Sequence, residues 1–86
     1  MNGKIYMITN LIDKTRYIGQ TTQEGRALVR YYGGGSYLRK IQNKIGKDNF
    51  IRIILKDNIH CQTALNLYEQ IYIKKYRIVF EIYLII

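Results

Sequence analysis

The N-terminal segment constrains the fold most. Lys4-Ile5-Tyr6-Met7-Ile8-Thr9 is rich in strand-favouring side chains. Asn10 to Lys14 contains Asn and Asp and reads as a turn. Arg16-Tyr17-Ile18-Gly19-Gln20 is a second short strand, so the two form a hairpin. The rest of the chain has to fold against it.

After the hairpin, a short helix is expected between Gln23 and Tyr32, around Arg26-Ala27-Leu28-Val29, until Gly33-Gly34-Gly35 breaks it. Ser36 suits the N-cap of a second helix. There Tyr37, Leu38, Ile41 and Ile45 share one face, and Lys40, Lys44 and Lys47 another, with Arg39 nearby. Gly46 is placed to end it. Phe50-Ile51-Arg52-Ile53-Ile54-Leu55 is nearly all apolar and reads as a central strand, with a loop from Asp57 to Cys61. A third helix is expected from Gln62 to about Lys75, turning Ala64, Leu65, Tyr68, Ile71 and Tyr72 inward. The order strand, strand, helix, helix, strand, helix predicts a small α+β domain: a three-stranded antiparallel sheet flanked by helices.

With 86 residues the chain suffices for one domain, and it contains no proline, no low-complexity linker and no internal repeat. A hydrophobic fraction of 48% argues for a folded chain. The net charge of +8, from 14 basic and 6 acidic residues, points to a polyanionic partner, of which nucleic acid is the usual one. Cys61 is the single cysteine, which excludes an internal disulfide and a cysteine-rich zinc site. It is expected as a small buried or half-buried thiol, with His60 in a loop beside it. The N-terminus lacks the pattern of a secretory signal. The apolar run from Ile78 to Ile86 is shorter than the roughly 20 residues a spanning helix needs. An intracellular, soluble protein without a membrane partner is expected.

Two strings in the hairpin carry chemistry in combination: Lys4-Ile5-Tyr6 and Tyr17-Ile18-Gly19. They put two tyrosines on neighbouring strands and a glycine where backbone or ligand can approach closely. Downstream come Tyr32-Gly33-Gly34-Gly35-Ser36, Tyr37-Leu38-Arg39-Lys40, Gly46-Lys47-Asp48-Asn49-Phe50, Ile54-Leu55, Leu67-Tyr68-Glu69 and Tyr72-Ile73. In this order, over about residues 3–76, the chain resembles the GIY-YIG nuclease family, with Lys4 where glycine often stands. The resemblance implies an endonuclease that hydrolyses DNA phosphodiester bonds with one divalent ion, magnesium or manganese.

The resemblance also assigns residues. Glu69, on the last helix, matches the family's metal ligand. Its neighbours three and four positions away, Leu65, Asn66, Tyr72 and Ile73, include no base, so the usual intrahelical ion pair is missing. Asp13, Asp48 and Asp57 look like turn residues and no two acids are adjacent, which favours one metal over two. Tyr6 and Tyr17 match the paired active-site tyrosines. Tyr17 could serve as general base only with its pKa lowered by a metal and nearby cations. Arg26 matches the arginine that stabilises charge on the phosphorus transition state, and Arg30 is the alternative. Where the family often has a histidine after this arginine, Tyr31 or Tyr32 stands, which leaves the base open. Arg30, Lys40, Lys44 and Lys47 are expected to contact the DNA backbone, giving affinity without sequence information.

The stretch 77–86 departs from the family. It is apolar and strand-favouring, where relatives usually carry a polar residue, often asparagine, and it looks like a truncated or altered end. It could prolong the last helix, add a strand or make a dimer contact, and if exposed it would be prone to aggregate. A nucleic-acid-binding module without cleavage, and a decayed remnant of a mobile-element nuclease, are the competing expectations.

Overall fold

The computed structural model describes residues 1–33, 36–80 and 84–85. The elements are β1 (Gly3–Asn10), β2 (Arg16–Thr21), α1 (Gly25–Arg30), α2 (Ser36–Ile45), a 3-10 turn (Lys47–Asn49), β3 (Phe50–Ile59), α3 (Gln62–Phe80) and the short β4 (Leu84–Ile85). β1, β2 and β3 form the expected three-stranded antiparallel sheet flanked by helices. β4 lies parallel to β2, Tyr17 facing Leu84, which gives the strand order β3-β1-β2-β4. Part of the C-terminal stretch therefore adds a strand, and α3 runs to Phe80 instead of ending near Lys75. Gly34 and Gly35 of the glycine run, and residues 81–83 and 86, lie outside the described residues.

The hairpin register is Lys4 opposite Thr21 through Thr9 opposite Arg16, with Tyr6 across from Gly19 and Tyr17 across from Ile8. Side chains alternate between the two faces of a strand, and two cores follow. Tyr6, Ile8 and Tyr17 form one with Leu38 of α2 and Phe50. Ile5, Met7 and Ile18 form the other with Ile59 and with Leu65 and Ile73 of α3. The layers are therefore α2, sheet, α3.

The central strand is β1, buried along its whole length, and not Phe50–Leu55 as the apolar run suggested. β3 runs on to Ile59, so Asp57 lies in a strand and not in a loop. Ile51 and Ile53 are 48% and 47% exposed. Opposite Thr9 and Met7, they face the α3 side of the sheet. A helix about 10 Å across covers roughly two strands spaced about 4.8 Å apart, and α3 packs mainly over β2 and β1.

Within α3 the inward line is Leu65, Glu69 and Ile73, spaced by four, and Ile71 points to solvent. On α2, Leu38 and Gln42 are buried while Tyr37 is exposed, contrary to expectation for Tyr37. Gly46 closes α2 as expected, at φ 91°, where L side chains are strained. A Cβ on Gly3 would lie 3.0 Å from the Leu65 side chain and 3.1 Å from the Ile59 carbonyl, so glycine lets α3 close onto β1. Cys61 is exposed, not buried, and its sulfur accepts the Ala64 N–H at the start of α3. Among the described residues no helix is long and apolar enough to cross a membrane.

Candidate functional site

Tyr6 and Tyr17 share the face covered by α2, as the hairpin register dictates. Tyr6 is fully buried, and its hydroxyl lies 3.5 Å from that of Tyr31. The two rings meet edge to face, centroids 5.5 Å apart. Tyr31, one of the two residues standing where the family often has histidine, is thereby paired with the first motif tyrosine. Tyr17 is 2% exposed. Burial pushes its phenol above the ordinary value, and the charge of Asp13 and the Tyr37 phenol push the same way. The chain's own groups thus move Tyr17 away from the base role.

Arg26 and Arg30 sit on α1, a helix with no buried residue. What holds α1 to the body is Arg52, opposite Ile8 and therefore on the tyrosine face. Its guanidinium Nη1 donates to the carbonyls of Leu28 and Tyr31, the latter at 2.7 Å, and the group lies 5.5 Å from the centroid of the Tyr32 ring. Its Nε is buried without a partner. Arg52 was not singled out from sequence, although one arginine inside an apolar strand was the visible signal. A half-buried charge needs partners, and here they are carbonyls at the C-terminal end of α1, where the helix dipole favours a cation.

Between the end of α1 and α2 lies a cleft of about 320 Å³. Arg30, Tyr31, Arg39, Gln42, Asn43 and Lys47 help line it. Lys40 and Lys44 are exposed on α2. Among the described residues the ion pair is Lys4–Glu24 at 3.9 Å, so Arg26, Arg30, Arg39, Lys40, Lys44 and Lys47 all lack an acidic partner. Lys4, standing where the family often has glycine, is 6% exposed. Its ammonium donates to the carbonyls of Asn2 and Gln23, tying the β2–α1 connection to β1.

Glu69 lies on the other side of the sheet. It is 9% exposed, between Leu65 and Ile73 on the inward line of α3. Burial pushes its carboxyl up, and a hydrogen bond from Gln20 partly opposes this. Gln20 donates to Asn66 at 2.9 Å and accepts from Gln62 at 2.7 Å, so amide side chains border the carboxylate. Among the described residues it has no basic partner, and no three His, Cys, Asp or Glu side chains gather. Asp13 is a turn residue as expected: its Oδ1 accepts the Thr15 N–H at 2.9 Å, which holds its carboxyl low.

The candidate residues therefore fall into two groups. Tyr6, Tyr17, Arg26, Arg30, Lys40, Lys44 and Lys47 belong to the α1–α2 side, and Glu69 to the α3 side. Compared with protein-family models, with curated proteins and with solved structures, the chain gives no match.

Proposed function

We propose that the chain is a metal-dependent endonuclease module acting on DNA phosphodiester bonds. The observation that carries this reading is the α1–α2 side. Among the described residues it carries six cations without acidic partners, and on the same side lies the Tyr6–Tyr31 hydroxyl pair, the first of whose tyrosines lies in the hairpin motif. Cations of this kind neutralise backbone phosphates, and arginine forks suit phosphate oxygens in the ground and transition states. Arg26 and Arg30, set at the body by Arg52, hold the strand. Tyr6 and Tyr31 orient a phosphate oxygen or the attacking water through their hydroxyls.

A magnesium or manganese ion fits Glu69. Its carboxylate is desolvated, has no basic partner among the described residues, and has the amide oxygens of Gln20 and Asn66 in the same network. One carboxylate with waters and substrate oxygens is an ordinary way to hold magnesium. When bound, such an ion supplies Lewis-acid stabilisation of the phosphoryl oxygens.

The test is nicking of supercoiled plasmid with magnesium, manganese or chelator, alongside Glu69→Gln. Metal-dependent nicking lost in the variant is the expected result. No nicking from folded protein in either metal rejects the reading. A second reading, nucleic-acid binding without cleavage, is favoured by the placement of Glu69 on the face away from Tyr6 and Tyr17. It predicts salt-dependent binding, no nicking, and unchanged affinity in Glu69→Gln.

A further inference from the structure

The cleft between α1 and α2 gathers three of those cations into one concavity. Arg30 comes from the end of α1, Arg39 and Asn43 from α2, and Lys47 from the 3-10 turn. Three elements thus converge three cations and an amide on one concavity. Among the described residues no carboxylate lines it. Like charges gathered in this way repel each other unless an anion joins them.

The wall of the cleft is fixed from beneath. Gln42, 3% exposed, donates to the Tyr32 carbonyl at 2.6 Å. Arg52 donates to the Tyr31 carbonyl. The two carbonyls of this wall that would repel an anion are thus engaged by donors from within the body. The donors facing the cleft are arginine forks, an ammonium and an amide, a set matched to phosphate oxygens. At about 320 Å³ the cleft is at the lower end of the range for small-molecule sites, with room for more than one bare anion. Tyr31 lines it and offers an aromatic face to what the phosphate carries.

We propose that this cleft is a phosphate-binding site, in which Arg39 and Asn43 join Arg30 and Lys47 in gripping a phosphate group of a nucleic-acid strand. The choice of nucleic acid as source rests on the reading above. The site itself requires no cleavage.

The experiment titrates isotope-labelled protein separately with inorganic phosphate and with a short single-stranded DNA oligonucleotide. Side-chain NMR signals of Arg39 and Asn43 are followed, with Lys40 and Lys44 signals for comparison. Saturable shifts at Arg39 and Asn43 with both probes are expected, the oligonucleotide binding more tightly. Arg39→Gln, at an exposed side chain outside both cores, should keep the remaining spectrum and weaken the oligonucleotide about tenfold or more. Tighter binding of inorganic phosphate than of the oligonucleotide would keep the site and assign it to free phosphate compounds. No saturable shift with either probe, or equal shifts along Lys40 and Lys44, overturns the proposal. Nicking that survives Arg39→Gln with unchanged affinity rejects the cleft and spares the nuclease. Arg39-dependent binding without nicking does the reverse.

Discussion

Replacing Arg52 tests how the cationic side is built. In Arg52→Met the apolar stem is kept and the guanidinium removed. Two charge-assisted hydrogen bonds to the Leu28 and Tyr31 carbonyls are lost, each worth about 1.5–3 kcal/mol. One nitrogen serves both, which favours the lower end. Contact with the Tyr32 ring adds about 0.5–1 kcal/mol. Against this, the buried unpartnered Nε disappears, relieving about 1–3 kcal/mol. The net loss is about 0.5–3 kcal/mol. A chain of 86 residues has a total stability of about 4–13 kcal/mol, so most of the protein should stay folded at 25 °C with a Tm lower by roughly 2–24 °C. Because α1 buries no residue, the loss should first appear there as local opening. Hydrogen exchange at the Leu28–Arg30 amides should accelerate before that of β1. Arg52→Lys, with no fork to span two carbonyls, should recover only part of the loss. Unchanged Tm together with unchanged exchange in α1 would refute the argument, because α1 would then be held by something other than this guanidinium.

In chelator, Glu69→Gln should stabilise the protein at pH 7 by about 0.5–2 kcal/mol, because it removes a desolvated charge and keeps an acceptor for Gln20. The carboxyl is raised in the folded state, so its contribution is fully present below the ordinary value of 4.5 and is lost as pH rises through the folded value. The variant's advantage in Tm should therefore vanish near pH 4, and a less stable variant at pH 7 would contradict it. Tyr17 is also raised, so its contribution persists below its ordinary value of 10.0 and is lost as pH rises through the folded value. Tyr17→Phe should show a shallower stability loss than wild type in urea melts between pH 9 and pH 11.5, and identical slopes would contradict its burial.

Local patterns were legible where one short stretch decides the answer. The hairpin follows from two strand-favouring runs and an Asn/Asp turn, and its register then puts Tyr6 and Tyr17 on one face without further information. Gly46 could be read as a helix stop because the left-handed backbone there favours glycine. The position of β3 could not be read. An apolar run does not say whether it joins a sheet in the middle or at an edge, and β1 took the centre by pairing with β2 and β3 together. Ile71 was placed inward on hydrophobicity, whereas the spacing of Leu65, Glu69 and Ile73 put the carboxylate on the buried line. Arg52 was passed over because its partners are carbonyls of a distant helix end, which no side-chain pattern encodes.

The division of the candidate residues by the sheet has a consequence for any catalytic centre. β2 joins the two sides, because Tyr17 points to the α2 face and Gln20, three residues on, to the α3 face beside Glu69. Gly19 lies between them, directly across from Tyr6. Among the described residues β4 pairs with β2 at Tyr17 and Ile18. In the proposed nuclease a phosphodiester reaching both Tyr6 and Glu69 has to pass β2, the strand that carries groups to both faces, and added bulk at Gly19 should block it. Nicking abolished by Gly19→Val while Arg39-dependent strand binding persists would locate cleavage at β2. Nicking untouched by that substitution would mean that Glu69 and the tyrosines do not act on one phosphate.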